Sequence, residues 1–272
     1  MDDSAAFGRL IQALRPWLGH LVIVGGWAHR LHRLHPLAGT PAYAPLRTRD
    51  VDVALSLRAP VDGDIRSALE AARFKPEYSG DNRPPVTHYT LTDDDAGFYA
   101  EFLVPLHGGE VKRDGSPDLT VSKAGVNAQK LRYLDLLLVA PWTVQIGPGK
   151  EIAFDVPVDL LVPNPVSFII QKVLIHDKRK PGKKAQDVLY IHDTLELFGS
   201  ALDDLRSIWI DQVRPAMAAR TAKRAEEAGE SLFRQVTDTI RDAARIPQDR
   251  RLTPEVLRAA CVYGTNEIFM ET

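Results

Sequence analysis

Cysteine is nearly missing from the 272 residues: Cys261 stands alone. One thiol cannot close an intrachain disulfide, so the fold owes nothing to a covalent framework, and such usage fits a reducing compartment. Long apolar runs are missing too. No stretch approaches the roughly 18 uninterrupted apolar residues that a membrane-crossing helix needs. The opening Met1-Asp2-Asp3-Ser4 is acidic and lacks the basic and then apolar segments of a secretory signal. Neither sign of charge dominates, since 34 Lys and Arg against 36 Asp and Glu leave a net of −2. Nothing global therefore draws the chain to a polyanion, and a polyanion site must be a local basic patch. The expectation is a soluble cytoplasmic protein. Its 44% hydrophobic and 26% charged content is ordinary for a globular chain, and its length suits one large domain or two modest ones.

Residues 21 to 53 carry the most information. Val22, Ile23 and Val24 form a β-branched run stopped by Gly25-Gly26, the pattern of a buried strand ending in a tight turn. Trp27, Ala28, Leu31 and Leu34 follow at helical spacing, which places the glycines at a helix N-terminus. There, free N–H groups and the positive dipole end favour an anion, and glycine lets a phosphate come close to the backbone. Arg49-Asp50-Val51-Asp52-Val53 reads as a second strand. Residues two apart share a strand face, so both carboxylates point one way while Val51 and Val53 face the core. Two solvated acids on an edge strand would give the same pattern. The phosphate-type turn upstream is what favours a pair that holds a metal. Further on, Glu101 is the one charge in Tyr99-Ala100-Glu101-Phe102-Leu103-Val104-Pro105-Leu106. A charge in a buried strand is costly unless paired or metal-bound.

Phe7, Leu10, Ile11, Leu14 and Leu18 predict an amphipathic helix over 4–18, and another helix spans Ile65 to Ala72 after Arg58-Ala59-Pro60. Residues 76–86 form a Pro-rich loop, and strands over 87–91 and 98–106 flank a turn whose acids Asp93, Asp94 and Asp95 are expected to be solvated. Residues 107–130 are polar, and 131–138 suit a strand or a short helix. A hairpin pairs Trp142–Ile146 with Glu151–Val156. Two prolines in Val162-Pro163-Asn164-Pro165 break the chain, giving domains of 1–163 and 164–272. Beyond the break the pattern is helical. Val166, Ile169, Ile170, Val173 and Leu174 make one stripe with Lys172 on its flank, and Lys184 and Asp187 lie three apart on the next helix, which Gly199 stops. The basic run from Lys178 to Lys184 also suits a solvated turn. The tail over 200–272 reads as a packed helical bundle. His29, His32 and His35 drift around a helix with no accompanying Cys or His-Glu-x-x-His pattern, so they are expected to be exposed polar residues beside the site rather than zinc ligands. No G-x-G-x-x-G occurs, which excludes a dinucleotide-binding reading of the glycines.

Gly25-Gly26 followed by Thr48-Arg49-Asp50-Val51-Asp52 resembles the signature of the nucleotidyltransferase (DNA polymerase β-like) superfamily. Within it, the chain is similar to the minimal and AbiEii-like bacterial nucleotidyltransferases, some of which are toxins of toxin–antitoxin pairs. Two departures stand out. Gly26 replaces the usual Ser, and the interval 27–49 is long, its excess over His35–Leu46 implying an extra loop beside the site. The resemblance implies an α+β fold: a mixed sheet with flanking helices, then a C-terminal helical domain. It implies that Asp50, Asp52 and Glu101 hold Mg²⁺ or Mn²⁺, with Glu101, where Asp is commoner, on a strand antiparallel to the Asp-x-Asp strand. Gly25, Gly26, Trp27 and Arg49 would bind the nucleoside triphosphate, Lys172 its phosphates, and Lys184 with Asp187 would close the site. The implied activity moves a nucleoside monophosphate to a hydroxyl of an RNA or tRNA, a protein or a small molecule. A toxin would add an antitoxin partner; no membrane is involved. The alternative is a catalytically inactive relative that binds or regulates.

Overall fold

The structure, a computed structural model, describes residues 3–56, 61–80, 82–94, 97–109, 111, 115, 117–150, 152 and 154–269. The expected loop Arg58–Pro60, the turn residue Asp95 and the strand start Glu151 lie outside the described residues. Contacts divide the chain into two units, Met1–Leu34 with Arg47–Val162, and His35–Leu46 with Pro163–Thr272.

The first unit is a mixed open sheet with helices. Its elements are α1 (Asp3–Leu14), β1 (Leu21–Val24), α2 (Gly25–His32), β2 (Asp50–Leu55), α3 (Ile65–Ala71), β3 (Phe74–Ser79), β4 (Val86–Leu91), β5 (Tyr99–Pro105), β6 (Thr120–Lys123), β7 (Val126–Leu131), α4 (Leu134–Leu137), β8 (Trp142–Ile146) and β9 (Val158–Val162). The main path runs β3-β4-β5-β2-β1-β9-β8, with β7 joined to β5 and to β6. The expected fold class holds. The apolar stripe of α1 is buried, and Phe7 stacks flat on Trp27 of α2 with ring centres 4.0 Å apart. Phe98 meets the same indole edge-on at 6.3 Å. Val22, Val24, Ala54 and Leu103 pack with Leu134 and Leu137 of α4. Cross-strand partners share a face, so Asp52, opposite Val24, lies on the face that α4 covers.

Pairing directions decide where the carboxylates meet. β1 and β2 are antiparallel, with Val24 opposite Asp52. β2 and β5 are parallel, with Asp50 opposite Tyr99 and Asp52 opposite Glu101. This corrects the antiparallel expectation for Glu101. Parallel neighbours need a crossover, and α3, β3 and β4 supply it between these two strands. The far edge of β5 is shared: antiparallel β4 takes it up to Glu101, opposite His88, and parallel β7 takes it from Phe102 onward. Residues read as loop or polar filler form β3 and the β6–β7 hairpin. Ala124 and Gly125 both have positive φ, 49° and 79°, as the tight two-residue hairpin turn demands. β8 returns through β9, Trp142 opposite Val162, rather than through 151–156. The alternating burial of Val158, Leu160 and Val162 fits a half-buried strand, whereas Val156 is exposed beside Pro157.

His29 and His32 are fully buried, against the expectation of exposed histidines. α2 packs on β1, β2 and β9, so little of this short helix faces solvent. His35 belongs to the second unit, its ring edge-on to Phe198 at 6.4 Å.

The second unit is helical: α5 (Pro165–Ile175), α6 (Pro181–Leu197), α7 (Leu202–Ile208), α8 (Ala219–Phe233), α9 (Asp238–Arg245) and α10 (Pro254–Phe269). Asn164 accepts from the Ser167 N–H at 2.8 Å, and Pro165 sits in the first turn of α5. This is the start signal expected of such a pair. α7 continues into a π-helical turn over Trp209–Val213. Residues 35–46, read as a loop of the N-terminal domain, are tied here instead. The Gly39 N–H donates to the Leu197 carbonyl at 2.7 Å, the Tyr43 hydroxyl to Glu196 Oε2 at 2.9 Å and the Ala44 N–H to Asp249 Oδ2 at 2.8 Å.

Candidate active site

β1 delivers the chain to Gly25 in the left-handed region, at φ +66°, and α2 begins there. A Cβ at Gly25 would lie 2.1 Å from Asp52 Oδ2, so the Asp52 carboxylate rests directly on the glycine. Only glycine permits both the backbone turn and this approach. Gly26 and Trp27 follow in the first turn of α2. The Trp27 side chain is 1% exposed and belongs to the core, which leaves its backbone as the group that can serve a ligand. Arg49 is exposed, and its carbonyl accepts the Tyr99 N–H at 3.2 Å.

Asp50 and Asp52 are half-buried on one face of β2, and Thr48 Oγ1 hydrogen-bonds to Asp50 Oδ1. Glu101, with an 18% exposed side chain, stands beside Asp52 on β5. His88 Nε2 faces Glu101 Oε1 at 3.0 Å, and Gln129 Nε2 donates to Glu101 Oε2 at 3.1 Å. The Tyr99 hydroxyl reports the charge gathered here. Burial, and then Asp50, Glu101 and Asp52, push its pKa up to about 12. Carboxylate oxygens are hard donors suited to Mg²⁺ or Mn²⁺, and a face whose acids raise a tyrosine pKa is one a divalent cation would relieve. The residues fit such an ion.

Of the turn acids, Asp93 is exposed as expected and Asp94 is not. Asp94 is buried and accepts the Phe98 N–H at 3.1 Å, while Asp93 pairs with Arg9 at 2.7 Å, a contact that holds its carboxyl below the usual range. Both secure the turn into β5.

In the second unit Lys172 is 4% exposed, and its Nζ lies 2.7 Å from Asp187 Oδ1 and over the rings of Phe168 and Tyr190 at 4.7 and 4.6 Å. Arg179 Nε reaches the other oxygen of Asp187 at 2.9 Å. Burial pushes the Asp187 carboxyl up, but the Lys172 and Arg179 charges and hydrogen bonds outweigh it and hold the pKa below the ordinary value. Lys184 stands in the first turn of α6, half-buried. The sequence reading missed a further set, His192, Asp193 and Glu196, whose ligand atoms lie within 4.8 Å of one another. In the sequence they stand as polar residues among the apolar positions Ile191, Leu195 and Leu197 of α6. Arg250 bonds to Asp193 and its guanidinium lies 3.4 Å over the Tyr43 ring, while Tyr43 bonds to Glu196. With a cation already inside it, this is an ion-pair network that fastens residues 35–46.

The chain thus carries a carboxylate face against a glycine corner on its mixed sheet. It belongs to a nucleotidyltransferase family, for the family model described as Nucleotidyltransferase matches residues 2–214. No curated protein matches the chain. Among the described residues, no helix is long and apolar enough to cross a membrane.

Proposed function

We propose that the chain transfers a nucleoside monophosphate from a nucleoside triphosphate to a hydroxyl acceptor, using Mg²⁺ or Mn²⁺ bound by Asp50, Asp52 and Glu101. The observation that supports it best is the Asp52 carboxylate lying against left-handed Gly25 with Glu101 as its neighbour on β5. When bound, the ion supplies charge neutralisation at the α-phosphate and polarises the attacking oxygen. The N–H groups of Gly25, Gly26 and Trp27 at the start of α2 receive phosphate oxygens. Glu101 takes the proton of the acceptor hydroxyl as the new O–P bond forms, the bond from the α-phosphorus to the bridging oxygen breaks, and pyrophosphate leaves. Positioning and electrostatics supply most of the rate. The reading rests on first-unit residues alone. Lys172, Lys184 and Asp187, assigned to the nucleotide by resemblance, belong to the second unit, where Lys172 and Asp187 bind each other.

The test is incubation of the purified protein with each α-labelled nucleoside triphosphate, Mg²⁺ and a cell extract. Label should enter one acceptor fraction, RNA, protein or small molecule, and Asp52→Asn should reduce it on the order of a thousandfold, the equivalent of several kcal/mol of lost transition-state stabilisation. Nucleotide binding without label transfer would identify an inactive binding protein instead. The toxin reading requires growth arrest on expression, relieved by Asp50→Ala, and harmless expression would dismiss it.

A further inference from the structure

Glu101 sits where the far edge of β5 changes hands. Up to Glu101 that edge belongs to β4, with His88 directly opposite; from Phe102 it belongs to β7, with Gln129 opposite Leu103. Each incoming strand sends one side chain to Glu101. His88 Nε2 lies 3.0 Å from Oε1, and Gln129 Nε2 lies 3.1 Å from Oε2. The opposite edge of β5 carries Asp52 beside Glu101. The carboxylate is therefore gripped at both oxygens from the edge away from Asp52. The grip is itself braced: the His88 ring stacks on Tyr99 at 4.9 Å with planes 20° apart. β4 and β7 are also tied to each other, for the Asn127 N–H donates to the Tyr89 hydroxyl at 3.2 Å and Asn127 Nδ2 to Thr87 Oγ1 at 3.0 Å.

We propose that His88 and Gln129 are positioning residues for the third carboxylate, fixing the rotamer of Glu101 so that its oxygens are set for a divalent cation before one arrives. This rests on the reading that Asp50, Asp52 and Glu101 hold the ion. A carboxylate on a long side chain loses rotamer freedom when it binds, and hydrogen bonds that fix it beforehand remove part of that cost. Both partners are donors here: His88 presents an Nε2–H, and Gln129 its amide. Each takes up one lone pair, and a carboxylate oxygen has a second with which to meet an ion. Partners of this kind behind a ligand are worth roughly 10–100-fold in metal affinity or activity.

Calorimetric titration of Mn²⁺ alone into the full chain tests this, with Mn²⁺ electron paramagnetic resonance as a second readout and melting curves to confirm folding. His88→Ala should weaken Mn²⁺ binding by about 10-fold, and so should Gln129→Ala. His88→Gln, which returns an N–H donor at a similar reach, should restore affinity to within about threefold. A ring that merely filled space against Tyr99 would not be rescued by an aliphatic amide. Unchanged affinity in His88→Ala and Gln129→Ala, where Asp52→Asn abolishes binding, overturns the positioning role and leaves the ion site standing. Equal Mn²⁺ affinity in wild type and Asp52→Asn overturns the ion site, and the positioning role with it.

Discussion

Gly25 gives the sharpest test of the site's geometry. Its φ of +66° lies where a non-glycine residue is disfavoured, at a cost of roughly 1–2 kcal/mol. A methyl group there would come within 2.1 Å of Asp52 Oδ2 and 3.1 Å of its Cγ, so the carboxylate must move. Forcing a packed side chain aside costs about 1–3 kcal/mol. Gly25→Ala is therefore expected to lower the unfolding free energy by roughly 2–5 kcal/mol. A cycle with Asp52→Ala separates the two contributions. Once the carboxylate is gone, the atom nearest the added methyl is the Cβ of residue 52 at 3.4 Å, an ordinary contact. The double variant should keep the backbone cost and lose the collision, giving a coupling of about 1–3 kcal/mol. Urea unfolding of the four proteins measures it. A Gly25→Ala variant as stable as wild type, or a strictly additive cycle, would refute the close approach.

Breaking the buried pair in the second unit should be costly, because it strands a charge. Lys172→Met is expected to lose about 3–5 kcal/mol, read by denaturant unfolding, while the compensated Lys172→Met/Asp187→Leu should recover much of it. The folded pKa of Asp187 lies below its ordinary value, so its contribution is complete above the unfolded value near pH 3.9 and fades as pH falls through the lower folded value. Asp187→Asn should flatten that acid limb in a pH series of melts, and an unchanged limb would assign the fall to other carboxylates. Tyr43→Phe removes the hydroxyl that donates to Glu196 at 2.9 Å and should cost about 1 kcal/mol. Amide exchange should quicken within 35–46, and unaltered exchange there would mean that the remaining bonds suffice to hold the segment.

The local pieces of the site were legible because each has a local cause. An apolar run ended by two glycines reads as strand, corner and helix, and alternation in Asp50-Val51-Asp52-Val53 fixes which side chains share a face. Glu101 showed itself as a lone charge in an apolar strand. What could not be read depends on partners distant in sequence. The direction of pairing between β2 and β5 leaves no mark in either strand, and His88 and Gln129 are ordinary polar residues until both strands are laid against β5. His29 and His32 look polar on a short helix; their burial comes from the three strands on which α2 packs. Residues 35–46 look like part of the first unit because they lie between its motifs in the chain. Their hydrogen bonds to Leu197, Glu196 and Asp249 are made some 150 to 200 residues further on.

That excursion changes how the protein can be dissected. The polypeptide passes from one unit to the other after Leu34, returns before Arg47, and crosses again after Val162. A fragment stopped at Val162 retains the tyrosine-bearing strip but discards Leu197, Glu196 and Asp249, to which it bonds, and leaves that ribbon spliced between the glycine corner and the aspartate strand. Gene shuffling that treats the halves as modules with a single seam would therefore damage both. A workable excision needs two cuts and a bridge from Leu34 to Arg47.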